Sequence, residues 1–210
     1  MDRRTFTVSL LATAALTACS SVGRFGDPSR QFRSDYGAVV DGGFQLPRIP
    51  LSKVDKQFLR QIVDYPTKER IGTVVVDVPK RFLYLVQPEG KAVRYGVGVG
   101  KQGFAWSGNA TIGWKREWPT WTPPARMIQR KPELRRWAGG MPPGLNNPLG
   151  PRALYLMKGG RDTLYRLHGT PEWWSIGKAV SSGCIRLMNQ DIIDLYNRVK
   201  PGAKVIVRQT

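Results

Sequence analysis

Histidine is almost missing from this 210-residue chain: His168 is the only one. Cysteine is nearly as scarce, limited to Cys19 and Cys184. A metal centre built from nitrogen and sulfur ligands cannot be assembled from that inventory, and no carboxylate cluster stands near either residue to complete one. Neither a metal nor an organic cofactor is expected. A disulfide framework is excluded for the same reason, leaving at most one bond between the two cysteines. Acidic residues are also sparse, 15 against 33 Lys and Arg, for a net charge of +18. That bias suits anionic surroundings, or simply a solvated basic surface. Nucleic acid is not the expected partner, because no recognition-helix, zinc-finger or RNA-binding signature is present. Long hydrophobic runs are absent too, and the stretch from Val8 to Ala15 is too short to span a bilayer. There is no internal repeat.

What is present at the N-terminus reads as an export signal over 1–18, with Arg3 and Arg4, the apolar stretch, then small residues. Arg3-Arg4-Thr5-Phe6 resembles a twin-arginine signal, and Leu16-Thr17-Ala18-Cys19 resembles a bacterial lipobox, in which Cys19 is lipidated. Several acyl chains, at about 0.8 kcal/mol per buried CH₂, anchor a protein stably. Removing 1–18 deletes two Arg and one Asp and leaves +17 on the mature chain. Residues 19–66 read as a lipid-anchored tether: Gly, Ser, Arg and Asp with no period up to about Leu46, then a short helix over 53–63 capped by Ser52. The export signal points to the cell envelope, on the periplasmic side, with the outer membrane favoured by Ser20.

A single domain over 67–210 follows, mainly β with a few short helices. Thr73 to Val78, Phe82 to Val86 and Ala92 to Val99 are β-branched or aromatic runs separated by turn residues, the pattern of an antiparallel meander. Gly96, Gly98 and Gly100 alternate with Val97 and Val99, which predicts a strand closely approached by another backbone on one face. A second hairpin, Ala153 to Met157 and Thr163 to Leu167, delivers His168. A helix over 191–199 with Asn189 as its cap ends at Pro201-Gly202, and Val205 to Val207 closes the sheet. Between the hairpins, 104–149 interleaves Trp106, Trp114, Trp118, Trp121 and Trp137 with prolines and arginines. A long segment of this kind reads as a lid or cleft wall.

Chemistry concentrates at Tyr165-Arg166-Leu167-His168-Gly169-Thr170 and Ser181-Ser182-Gly183-Cys184-Ile185-Arg186. One imidazole beside one thiol is the minimum equipment for acyl transfer, since the ring can take the thiol proton and leave a nucleophilic thiolate. Gly183 permits a tight turn, and the amides of Ser182, Gly183 and Cys184 can converge on a developing oxyanion. The order, His before Cys, is opposite to that of papain-like proteases.

His168-Gly169-Thr170 followed by Ser181-Ser182-Gly183-Cys184-Ile185-Arg186-Leu187 resembles the signature of the L,D-transpeptidase (YkuD-type) catalytic domain. Val97-Gly98-Val99-Gly100 and Asn147-Pro148-Leu149-Gly150 fit as well, so the resemblance runs from about Ile71 to Val207. Many members carry His where this chain has Ser182. The resemblance implies a β-sandwich-like domain with Cys184 as nucleophile, His168 as base and then acid, and the Gly169 carbonyl orienting the ring. It further implies that Arg186 binds a stem-peptide carboxylate and that Trp173 and Trp174 wall the cleft. The implied substrates are peptidoglycan stem peptides. The acyl acceptor would be a second stem, an envelope protein, a free amino acid or water, and the alternative readings are a hydrolase on the same site or a non-catalytic wall-binding lipoprotein.

Overall fold

The computed structural model describes residues 28–101, 106–181 and 183–209. The export signal, Cys19 and Ser182 lie outside the described residues. Thirteen strands are present among them: β1 Val39–Asp41, β2 Phe44–Leu46, β3 Gln61–Asp64, β4 Val74–Asp77, β5 Phe82–Val86, β6 Lys91–Gly96, β7 Val99–Gly100, β8 Gly108–Glu117, β9 Arg152–Lys158, β10 Arg161–His168, β11 Ala179–Ser181, β12 Ile185–Arg186 and β13 Lys204–Arg208. Two short α-helices join them, α1 Ala125–Arg130 and α2 Asn189–Arg198. The chain is therefore mainly β with a few short helices, as its sequence pattern predicts.

Nine strands form one mixed sheet in the order β12-β10-β9-β8-β13-β4-β5-β6-β3. The meander β4-β5-β6 is antiparallel, with Val75 opposite Tyr84 and Leu85 opposite Val93. The hairpin β9-β10 forms as expected, with Leu154 opposite Leu167. One sheet face supplies the main core: Val74 and Val76, Leu83 and Leu85, Leu154 and Leu156, and Leu167 meet Ile192 and Leu195 of α2. Residues two apart on a strand share a face, so Leu167 in this core sends its neighbours Arg166 and His168 to the other side. Helix α2 begins at Asn189 itself, with Met188 in the cap position and no side-chain cap bond. Asn189 is thus a first-turn residue and not the cap.

Three expectations are corrected by long-range pairing. The strand β13 does not close the sheet at an edge; it lies inside, parallel to β4 and antiparallel to β8. The helix expected over 53–63 is replaced by single 3₁₀ turns, Leu51–Lys53 and Lys56–Phe58, followed by β3, which bonds to β6. Backbone pairing with an open sheet edge satisfies more groups than one isolated amphipathic turn. The first part of 104–149 is not a lid, because β8 is a ten-residue central strand. A register shift between Ile112 and Lys115 breaks its alternation of buried and exposed residues and hides it from a period-of-two reading.

The segment expected to be a loose tether is folded onto the domain from Phe32 onward. Tyr36, Ile49 and Leu59 are buried in a second cluster with Ile176 and Met188. Full burial of an apolar side chain is worth about 1.5–3 kcal/mol, enough in combination to fix the segment. The Tyr36 hydroxyl donates to Asp191 at 2.9 Å and accepts from the Arg60 amide at 2.7 Å. Arg60 is ion-paired with Asp35 and Asp194, each at 2.6 Å. The hairpin β1-β2 adds a second clamp, where Asp41 receives both terminal nitrogens of the buried Arg152 at 2.7 Å and the Trp118 indole N–H at 2.7 Å.

Candidate active site

Strand β10 reaches His168 through a bulge. Its register against β9 shifts between Asp162 and Arg166, with the exposed Leu164 at φ +65°. Asp162 stabilises that kink by accepting from the Leu164 amide at 2.8 Å and holding Arg166 through two bonds of 2.7 and 2.8 Å. Beyond the bulge, His168 is buried, and its carbonyl accepts from the Leu187 amide at 2.8 Å. Its Nδ1 lies 2.6 Å from the Gly169 carbonyl. An N–H on Nδ1 donating there leaves Nε2 with the free lone pair. Gly169 is required for space: a Cβ would meet Asn189 Oδ1 at 2.6 Å and Pro151 Cδ at 2.9 Å.

Cys184 is carried by a turn between β11 and β12. The Ser181 hydroxyl accepts from the Gly183 amide at 3.2 Å and donates to the Cys184 carbonyl at 2.7 Å, closing the turn on itself. Gly183 has φ +132°, a conformation suited to glycine. The strand β12 then runs parallel to β10, with Leu167 opposite Ile185 and His168 opposite Arg186. Cys184 therefore stands beside Arg166, whose backbone amide hydrogen-bonds its sulfur, and next along the strand from Arg166 on that face is His168. The sequence-predicted pair is brought onto neighbouring chain segments by the parallel pairing of β10 with β12, whose entering turn carries Cys184.

Arg186 donates to Glu172 at 2.6 Å. Its backbone is locked to Gly98 by a pair of bonds, 2.9 and 2.8 Å. The alternating glycines are explained by that packing: a Cβ on Gly96 would strike Phe58, and one on Gly98 would meet the Ser175 carbonyl at 2.8 Å. These glycines are buried against protein backbone and do not form an open phosphate cradle. Trp173 and Trp174 sit on a single 3₁₀ turn, Trp173–Ser175, edge to face at 5.5 Å. Trp173 is half-buried and Trp174 exposed.

The loop from Trp118 to Gly150 is organised by Asn147, which is fully buried. Its amide donates to the carbonyls of Pro119, Met141 and Pro142, and its Oδ1 accepts from the Leu149 amide at 2.9 Å. A pair of backbone bonds between Trp121 and Met141 ties the two limbs together. The next residue, Pro148, presents its carbonyl to His168. Asn147 thus links the loop to the imidazole.

Burial dominates the electrostatics. It holds His168 down at about 4, aided by the charges of Arg186 and Arg166 and opposed by the carbonyls of Gly169 and Pro148. Burial also pushes the Cys184 thiol up, against the pull of the Arg166 amide and the two arginines. At neutral pH the pair rests as neutral thiol and neutral imidazole. A thiol held neutral in this way yields a thiolate only when a neighbouring base removes its proton.

Of the residues singled out in the sequence, His168, Gly169, Gly183, Cys184 and Arg186 converge here. The Gly183 amide, expected to face an oxyanion, is engaged by Ser181. Sequence reasoning gave no separate role to Ser181, Asp162, Arg166 or Asn147. Ser181 was discoverable, since a serine two residues before a glycine readily closes a turn through its hydroxyl.

A mainly β domain with an imidazole at the end of one strand and a thiol on the turn entering its parallel neighbour defines a class of thiol-bearing domains. The chain belongs to the YkuD family, the L,D-transpeptidase catalytic domain, whose profile matches residues 71–207. It is 37% identical over 150 residues to the probable L,D-transpeptidase YcfS of Escherichia coli, covering 69% of this chain and 46% of that protein. The probable L,D-transpeptidase ErfK/SrfK of the same organism is 37% identical over 136 residues, 63% of this chain and 42% of the relative. The chain thus spans about half the length of the curated relatives it matches. A Brucella melitensis crystal structure, described as a probable carnitine operon oxidoreductase, is 48% identical with a TM-score of 0.52 and covers 76% of this chain and 99% of its own.

Proposed function

We propose that this protein is a peptidoglycan L,D-transpeptidase acting through Cys184 and His168. The observation that carries the reading is the placement of its single imidazole at the end of β10 and this thiol on the turn entering the parallel neighbour β12, inside the region that matches the family. The thiol attacks the carbonyl between the L-centre of diaminopimelate and the terminal D-Ala of a tetrapeptide stem. As the carbon–sulfur bond forms, Nε2 of His168 takes the thiol proton, while the Gly169 carbonyl stabilises the resulting imidazolium in place of a triad carboxylate. The Cys184 amide is available to the developing oxyanion, and Ser181 holds the turn that presents it. The imidazolium then returns its proton to the departing amine of D-Ala, leaving a thioester. An amine acceptor attacks the thioester, His168 takes the amine proton, and the thiol is restored with a new amide bond. Arg186 receives a stem carboxylate, exchanging it with Glu172. The protein works on the periplasmic side of the envelope, tethered through a lipid on Cys19, and the amine of a second stem or of an envelope protein accepts the acyl group.

Incubation with purified muropeptides, followed by mass spectrometry, tests this reading. Wild type yields cross-linked dimers and a covalent carbapenem adduct, while Cys184→Ala yields neither. Release of D-Ala without dimers replaces the transferase by a hydrolase on the same site. Product formation that survives Cys184→Ala refutes the nucleophile.

A further inference from the structure

A groove of about 300 Å³ lies beside the site, lined by Lys53, Val54, Phe58, Trp173, Trp174 and Lys178, with Asp55 at its rim. One wall is the turn segment 53–58, which precedes the region matching the family. The other wall is the Trp173–Ser175 turn, next to Glu172 and hence to Arg186. Trp174 is 54% exposed, yet Trp173 packs edge-on against it and limits its orientation. The groove therefore offers a flat apolar face held in a fixed attitude.

Charge completes the picture. Lys53 and Lys178 are both exposed, and neither forms an ion pair among the described residues. Asp55 does not neutralise them locally, because its two oxygens accept from the Gln57 amide at 3.1 Å and the Gln57 side chain at 2.7 Å. An exposed indole in one groove with two ammonium groups that form no ion pair among the described residues matches a pyranose ring joined to carboxylates. The ring stacks its C–H face on the indole, and the ammonium groups meet the acids. A volume of this size suits one or two sugar rings.

We infer that this groove binds the amino-sugar end of a muropeptide, with a sugar on Trp174 and the adjoining stem carboxylates at Lys53 and Lys178. The inference rests on the peptidoglycan reading above and extends it from the reacting peptide to the glycan that carries it. The groove then acts as a register mark, favouring stems still attached to their glycan over free peptides.

The test is isothermal titration of the full chain carrying Cys184→Ala with two probes, a disaccharide-tetrapeptide and the same tetrapeptide without sugar. The sugar-bearing probe is expected to bind about tenfold more tightly. Trp174→Ala brings the two probes within about twofold, and Trp174→Tyr restores much of the gap. Replacing Lys53 and Lys178 by Ala weakens both probes and flattens the dependence on salt. Equal affinities for the two probes overturn the inference, as does a preference that survives Trp174→Ala. Failure of the transpeptidase reading shows up separately, as no thioester in wild type with either probe.

Discussion

Protonation of His168 should weaken the fold by an amount that can be worked out. In the folded protein burial keeps the ring neutral down to about 4, whereas in the unfolded chain it takes its proton near 6.5. Between those values the unfolded state binds more protons, so stability falls as pH drops from 6.5 to 4 and levels off below. At 1.36 kcal/mol per pH unit, the full loss from this one residue is about 3 kcal/mol. Asp191 acts with the opposite sign in the same window. Burial raises its carboxyl to about 7 despite the Arg60 charge and the Tyr36 hydrogen bond, so the folded state holds the extra proton and stability falls as pH rises toward 7. A single stability curve therefore mixes two compensating slopes. The informative measurement is the difference between wild type and His168→Gln in urea unfolding, taken at half-unit steps from pH 4 to 7.5. The variant should lack the loss at low pH, and the difference curve should span about 3 kcal/mol. Because the chain contains one histidine, its two imidazole C–H signals titrate in proton NMR with no overlap from others, with a common midpoint expected near 4. A midpoint at or above 6.5, or parallel curves for the two proteins, refutes the claim that burial governs this site.

Other perturbations test the scaffolding. Gly169→Ala forces a Cβ against Asn189 Oδ1, Pro151 and Ile192 and should cost about 1–3 kcal/mol in urea unfolding, with a larger proportional loss of turnover because the ring support moves. Ser181→Ala frees the Gly183 amide and the Cys184 carbonyl; stability should drop by about 1–2 kcal/mol, and thioester formation, followed by mass spectrometry, should slow. Unchanged thioester kinetics would show that the turn holds itself. Asp41→Ala leaves the buried Arg152 with the Pro151 carbonyl but no counter-charge nearer than Glu117, 3.8 Å away, and should destabilise by about 3 kcal/mol, measured as a shift in the urea midpoint.

Local patterns in the sequence were enough to read the meander β4-β5-β6, the hairpin β9-β10 and the paired His168 and Cys184 segments. Each is set by neighbours within about a dozen residues: β-branched runs, turn residues and the glycine before the thiol. The interior position of β13 was not legible, since its parallel partner Val74 to Asp77 lies more than a hundred residues upstream. The same holds for 28–64, where Tyr36 finds Asp191 across 155 positions and no local period announces the contact. In β8 the obstacle was a register shift that dissolved the alternation. At the site, the chemistry-bearing residues were visible, while their supports were not. Asn147 and Asp162 act through loop carbonyls and a bulge whose geometry exists only after the sheet has formed.

The buried position of Tyr36 and the folded stretch beginning at Phe32 set the length of a leash. On the proposed lipid attachment at Cys19, a tether running to Leu46 would let the catalytic domain range as far as roughly 95 Å at full extension. With the chain held by the domain from Phe32, only thirteen peptide steps separate the lipid from the first side chain so held, a reach of about 45 Å. The enzyme would then be confined to the layer of wall nearest its membrane, and lengthening the stretch between Cys19 and Phe32 would widen the depth at which it finds substrate.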